Sequence, residues 1–421
     1  MSFPKIEGYV VTEKLGSGSY STVYKAYKKV GPRQTVAIKC VDKRNVRASV
    51  AADNLLTEIK LLKTLKHPHI VAMHDFTWDE KNIYIIMEYC SGGDLAQYIR
   101  RLGRVPEQKA RYFLQQLVSA IQYLYNNQVA HRDLKPHNLL LHKGFFRTQA
   151  IKVADFGFAQ YMDNNDCSLR GSPLYMAPEV FVGKYDHRAD LWSIGIILYE
   201  MLFGSAPYSS ATLEEMMKKV NARTPITLPP NSSITPGCNS LLHRLLQHDV
   251  DKRITHEALF SDEYLDLERM PTKENYDKGV SLLNKAVQLE RIDLKTSLNN
   301  YTEALQLLVP CANNFDVAGK KALQARLTIY MDRAEEIKKM LNQNSVPSSE
   351  DMHTPPELNA DISSASDLPQ STYKQDDNEV NGVEENVSYN KETVNIRKDN
   401  NNNNNNNKAL FNSIQIIVKI S

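Results

Sequence analysis

The sequence predicts an α+β protein. A small β-rich lobe precedes a larger helical one, and a three-helix bundle and a disordered tail follow. Three observations carry that expectation. Strand-like alternation crowds into the chain before Glu88. Helical periodicity takes over after Asp94, and between Lys273 and Leu341 it runs on with few breakers. Beyond Asn342 the chain turns to Ser, Pro, Asp, Glu and Asn, with eight consecutive asparagines at Asn400–Asn407 and an apolar scrap at Ile414–Ile420. Such a tail buries too little apolar area to offset chain entropy. The 421 residues divide accordingly into 9–267, 273–341 and 342–421, in keeping with about 150 residues per domain.

Each element has its own signal. Thr35–Val41 alternates, with Val36, Ile38 and Cys40 on one face and Ala37, Lys39 and Val41 on the other. Asn82–Glu88 is a second β-rich run. Ala110–Tyr125 carries Phe113, Leu117, Ala120, Ile121 and Leu124 at helical spacing. Leu191–Phe203 reads as a buried helix, too short to span a bilayer. In the last helical zone, helices are expected near Tyr276–Leu289, at Leu294–Leu308 with Pro310 as the stop, and at Val317–Leu341. The third carries an apolar stripe of Leu323, Leu327, Tyr330, Ala334, Ile337 and Leu341. Met331 lies about 80° off that stripe, equally consistent with half-buried packing and with a binding role.

Composition excludes several classes. With 51 basic and 49 acidic side chains the net charge is +2, far from the basic excess of a nucleic-acid binder. That average hides a tail of twelve acidic and six basic residues behind a body of charge +8. Five scattered cysteines without a C-x-x-C pair suggest a reducing compartment, with no disulfide frame and no structural zinc. MSFPKIEGYV lacks a basic start and an apolar run, so a cytoplasmic, or nuclear, location is expected.

Six stretches carry chemistry. Leu15–Val23 (LGSGSYSTV) is a glycine-rich loop in which Gly16 and Gly18 let backbone approach phosphates closely. Alone it is as well explained as a hairpin turn. In the alternating strand that follows, Lys39 shares a face with Ala37, whose small side chain leaves a pocket open to the ammonium. Glu58, three residues after Leu55 and four before Leu62 on a helical run, faces inward. An inward lysine and an inward carboxylate are costly to bury unless they pair. Then come His131–Asn138 (HRDLKPHN), Asp155-Phe156-Gly157 and Ala177-Pro178-Glu179.

In this order and spacing the stretches resemble the eukaryotic protein kinases, from about Tyr9 to Leu267. The resemblance implies ATP and Mg²⁺ as cofactors and protein hydroxyls as substrates. It assigns Asp133 to the substrate hydroxyl, Lys135 to the transferring phosphoryl, and Asn138 and Asp155 to the metal. Leu15, Gly16, Gly18, Val23, Ala37, Lys39 and Glu58 would form or support the nucleotide site. The backbone of Glu88–Cys90 would meet adenine. Lys135 and Gly171-Ser172-Pro173 resemble the serine/threonine class. Ser21 stands where the third loop glycine is usual, a change that removes no catalytic group. Arg132 before Asp133 implies an anion in the activation segment. Ser168 is the phosphosite expected there, because Ser172 sits in the GSP turn; Asp163 and Asp166 could supply the charge instead.

The runs NYDKGVSLLNKAVQLE and LTIYMDRAEEIKKML resemble the MIT domain, a three-helix bundle. A serine/threonine kinase followed by an MIT domain resembles the ULK family, in its MIT-bearing third type. That type carries two such bundles, and one is visible here. The resemblance implies binding to C-terminal helices of ESCRT filament subunits, with Met331 in the contact. It also implies transient recruitment to membrane-remodelling sites, and autophagy signalling. Two rival readings stand beside it: a trafficking adaptor with a nucleotide-responsive but non-catalytic kinase scaffold, and a kinase whose helical zone is autoinhibitory. Intact Lys39, Asp133 and Asp155 argue against the first.

Overall fold

The computed structural model describes residues 3–342, apart from 19–20, 47–48, 147, 163–170, 184, 224–225 and 231. The expected disordered tail and Ser168 therefore lie outside the described residues. The N-terminal lobe is a five-stranded sheet in the order β1-β2-β3-β5-β4, built from β1 (Tyr9–Ser17), β2 (Ser21–Lys28), β3 (Thr35–Asp42), β4 (Met73–Trp78) and β5 (Asn82–Glu88), with helix α1 (Ser49–Thr64) beside it. All pairings are antiparallel, and they set Lys39 of β3 opposite Val23 of β2 and Ile85 of β5. The alternation of β3 separates two environments. Val36, Ile38 and Cys40 pack with Ala26, Tyr84 and Ile86 on one face, which leaves Ala37 and Lys39 on the other.

The second lobe holds α2 (Leu95–Leu102), α3 (Glu107–Asn126), β6 (Val129–Ala130), β7 (Leu139–Lys143), β8 (Gln149–Val153), β9 (Gln160–Tyr161), α4 (Pro178–Val182), α5 (Ala189–Phe203), α6 (Leu213–Asn221), α7 (Pro236–Leu245) and α8 (His256–Phe260). Nearly every side chain of α5 is buried, as its apolar run requires. β7 and β8 form a hairpin in the register Leu139↔Val153 to Lys143↔Gln149. The root of that hairpin, between Asn138 and Asp155, opens onto the catalytic residues.

Three further helices follow: α9 (Lys273–Leu289), α10 (Leu294–Asn314) and α11 (Val317–Asn342). Thr272 caps α9 by accepting from the Asn275 backbone N–H at 3.0 Å, and Asp293 caps α10. Their core is Tyr276, Val280, Leu283, Tyr301, Leu308, Leu323, Leu327 and Ile337. One expectation needs correction. Pro310 does not end the second helix, which continues to Asn314. An interior proline costs about 3 kcal/mol, but Cys311 and Ala312 beyond it are buried in the bundle core, and that packing outweighs the lost hydrogen bond.

Candidate active site

The strand and helix that flank the cleft place one ammonium between two carboxylates. Lys39 Nζ lies 2.5 Å from Glu58 Oε1 and 2.9 Å from Asp155 Oδ1. Glu58 is buried on α1, as the Leu55–Leu62 spacing requires. Burial alone would lower the Lys39 pKa, but the Glu58 and Asp155 carboxylates outweigh it and raise it above the ordinary lysine value. In return the Lys39 ammonium, against some burial, holds the Asp155 carboxyl down at about 2. Both groups are therefore charged across the neutral range.

The catalytic loop is hung from α5. The Asp190 carboxylate accepts the His131 N–H at 2.7 Å and the Arg132 N–H at 2.9 Å. With its backbone so held, Arg132 adopts φ 65°, a strained conformation of the kind that clusters at functional sites. The same loop buries Asp133, which is 4% exposed. Its Oδ2 accepts from Lys135 Nζ at 2.7 Å and from Asn138 Nδ2 at 3.0 Å. Its Oδ1 is buried and has no hydrogen-bond partner among the described residues. Gly171, at φ 110°, faces that oxygen: a β-carbon there would stand 3.3 Å from Oδ1 and 2.9 Å from the Arg132 carbonyl. A glycine at this point keeps a side chain from crowding that oxygen.

The donor set suits a hard divalent cation. The Asn138 amide nitrogen is committed to the carbonyl and carboxylate of Asp133, so its oxygen is the atom left for a metal. The Asp155 side chain is 46% exposed, with one oxygen on Lys39. Two oxygen donors alone make no protein cage, and no group of three or more His, Cys, Asp or Glu side chains among the described residues could hold an ion. Magnesium sites completed by substrate phosphates have that form.

The remaining nucleotide-site candidates line the cleft. Gly16 lies in β1 opposite Val23, after the exposed Leu15. Gly18 donates its N–H to the Ser21 carbonyl at 2.8 Å, closing the loop. Ala37 pairs with Met87 across β3 and β5. Glu88 Oε1 accepts from the Ala72 N–H (2.7 Å) and pairs with Lys152 (2.8 Å), which turns that side chain back into the protein. Cys90 follows, its thiol pushed up to about 12 by burial. Met331 lies apart from these residues, 47% exposed on α11.

Further contacts fasten the activation segment. Ser172 Oγ accepts from Lys135 Nζ at 2.7 Å, which fastens the GSP turn to the catalytic loop. The Arg132 guanidinium donates to the Gln160 side chain and stands 5.5 Å over the Tyr185 ring. Gln160 and Tyr185 belong to no motif, and only tertiary folding brings them there. Arg253 donates to both oxygens of Glu179 at 2.6 and 2.9 Å, a buried bidentate pair that ties down the APE segment.

Comparison with known proteins agrees with this geometry. The protein kinase domain family matches residues 9–265, and the MIT (microtubule interacting and transport) domain family matches residues 276–339. Serine/threonine-protein kinase ULK3 of Xenopus laevis is 45% identical over 347 residues, which cover 81% of this chain and 74% of that protein. The Homo sapiens ULK3 is 44% identical over 348 residues, covering 81% and 73%. Serine/threonine-protein kinase atg1 of Dictyostelium discoideum is 40% identical over 271 residues, covering 62% of this chain and 40% of its own.

Proposed function

The chain belongs to the ULK family of serine/threonine protein kinases, and on that premise we propose that its MIT bundle directs phosphate transfer to ESCRT-type membrane-remodelling proteins. As a serine/threonine kinase with an MIT domain it uses ATP and acts on proteins. The proposal extends to Mg²⁺ as the cation, a cytoplasmic location with transient recruitment to membranes, and a part in autophagy signalling. The Atg1 name of the Dictyostelium relative supports the last.

One observation carries the catalytic assignment. Asp133 is a buried carboxylate with one oxygen engaged by Lys135 and Asn138 and the other without a hydrogen-bond partner among the described residues. Oδ1 would accept the hydrogen bond of the substrate hydroxyl and orient its oxygen for attack. The new bond joins that oxygen to the γ-phosphorus as the bond to the β–γ bridging oxygen breaks, with ADP leaving and the hydroxyl proton passing to Asp133. Lys135, 2.7 Å from Asp133, would steady the moving phosphoryl, and Lys39 the remaining phosphates. A bound cation would supply positive charge to the phosphate oxygens, held by Asn138 and Asp155. Ser168 remains the phosphosite proposed for the activation segment, since the Ser172 hydroxyl is already used by Lys135.

A single experiment separates kinase from adaptor. The full chain is tested for capture of a peptide from an ESCRT subunit's C-terminal helix and for phosphorylation of the protein carrying it. Lys39→Ala should keep capture and lose transfer. Asp133→Asn should lower turnover by about a hundredfold or more with ATP binding retained. Ser168→Ala, prepared from an activating source, should be less active than the parent. Equal transfer by the Lys39 variant would leave the adaptor reading standing, and absence of capture would remove the ESCRT assignment.

A further inference from the structure

The β7–β8 hairpin joins the two domains in an unusual way. Its tip carries Phe145 and Phe146, where a turn ordinarily takes polar residues. Phe146 is 2% exposed, and it is buried in the bundle core rather than in the core of its own lobe. Its ring lies edge-on to Phe315, with centroids 4.9 Å apart. Phe145 packs at 5.8 Å from Tyr276 and lies beneath the Lys273 ammonium at 5.6 Å. A hydrogen bond closes the contact: Thr148 Oγ1 donates to the Asn314 carbonyl at 2.9 Å.

The other end of this hairpin is the nucleotide site. Asn138 immediately precedes β7, and Asp155 comes two residues after β8. The Ala154 N–H donates to the Asn138 carbonyl at 2.8 Å, locking the two roots together. β7 also bonds the segment after the adenine-facing strand: Gly92 N–H donates to the Leu141 carbonyl, and Leu141 N–H to the Gly93 carbonyl, both at 2.8 Å. That approach is so close that a β-carbon at Gly92 would fall 2.7 Å from the Leu141 oxygen. From root to tip the hairpin spans roughly 13 Å. It is stiffened along its length by Gln116 accepting the Ile151 N–H at 2.7 Å and by Lys109 donating to the Gln149 carbonyl at 2.7 Å.

We propose that the MIT bundle is a working part of the nucleotide site: by clamping Phe146 it sets the β7–β8 hairpin and thereby positions Asn138, Asp155 and the adenine-facing segment. Phe146 is a positioning residue that acts through the two cation ligands. The contact is a support, not a brake. α3 also holds the hairpin, so loss of the clamp loosens the roots without dismantling them. The effect belongs to the affinity for ATP with its cation, more than to turnover. This inference rests on the assignment of Asn138 and Asp155 as cation ligands.

The test uses full-length protein carrying Phe146→Ala, and separately Phe315→Ala, which opens the same contact from the bundle side. ATP binding in the presence and absence of Mg²⁺ is measured by calorimetry, with amide hydrogen exchange at Ala154 as a second readout. Each variant should weaken Mg²⁺-dependent ATP binding by roughly threefold to tenfold, the range that coupling through a packed network carries. KM for ATP should rise in step with little change in kcat, and Ala154 should exchange faster. Unchanged binding and exchange in both variants would overturn the proposal, as would tighter binding or raised kcat, which would make the contact inhibitory. If one variant fails to fold, the other decides. Asp155→Ala is the control: Mg²⁺-dependent binding that survives it would mean the ligand assignment had failed instead.

Discussion

Arg333 shows how a charged residue is tolerated inside a small bundle. Its Nη2 donates to Glu290 Oε2 at 2.8 Å and its Nη1 to Glu336 at 2.8 Å, while the Tyr301 hydroxyl donates to the other Glu290 oxygen at 2.5 Å. Glu290 is 2% exposed, so every bond it makes replaces one lost to water. Removing the cation alone would strand that carboxylate. Arg333→Ala is therefore expected to cost the bundle about 3–5 kcal/mol, the usual penalty for half a buried pair. Denaturant titration of the full chain, followed by hydrogen exchange in α9–α11, measures it. A loss under about 1 kcal/mol would mean that water reaches Glu290 and the pair is not holding the helices. Arg333 was not legible in the sequence: it falls three residues after Tyr330 on the core stripe, yet its charge kept it out of an apolar reading. Lys39 and Glu58 were legible because each lay on a face whose neighbours were apolar. That the Ser172 hydroxyl reaches Lys135 was not legible, because the contact joins residues 37 apart in the chain.

At the scale of elements, β5 was read from its apolar run with the bounds it has, and α11 to within a residue, because long periodic segments state their own period. The second bundle helix was cut short at Pro310, because a local stop signal cannot weigh the burial of Cys311 and Ala312 beyond it. The packing of α8 on α3 was invisible for the same reason. There His256, 3% exposed, stacks on Tyr125 with ring centroids 4.6 Å apart. Burial, helped by the nearby His187, pushes its pKa down from 6.5 to about 4, against the Glu257 and Asp186 carboxylates. A depressed folded-state pKa gives a definite sign. The stability that neutral His256 contributes is complete above pH 6.5 and is lost as the pH falls from 6.5 towards 4, because unfolding then takes up a proton. The loss for this one residue is on the order of 3 kcal/mol. His256→Phe should keep the stack and flatten the acid side of the stability–pH curve by that amount. An unchanged slope between pH 6.5 and 4 would mean that His256 is already charged in the folded protein.

For the whole molecule, the division of surfaces decides what the bundle can do for the kinase. One side, through Tyr276 and Phe315, is committed to the β7–β8 hairpin. The outer shoulder of α11 is not: Met331 is 47% exposed, and the exposed Lys338 lies two turns further along the same side. A bundle fixed on one face and open on the other can present a bound helix to the active site from a constant direction, which a loose tether would not do. An apolar side chain flanked by a lysine suits an amphipathic helix with an acidic residue, laid along α11. Met331→Asp in the full chain would put a carboxylate where that helix must exclude water, and affinity for an ESCRT C-terminal helix should fall by about tenfold or more. Because Met331 is half exposed and lies outside the core, the thermal midpoint should stay where it was. Transfer to a generic peptide substrate should also be unchanged, since Asp133 and Lys39 are untouched. Phosphorylation of the captured partner should fall with its binding. If capture were as strong with aspartate in place, the partner would lie on another face; if the bundle melted earlier, Met331 would be packing rather than recognition.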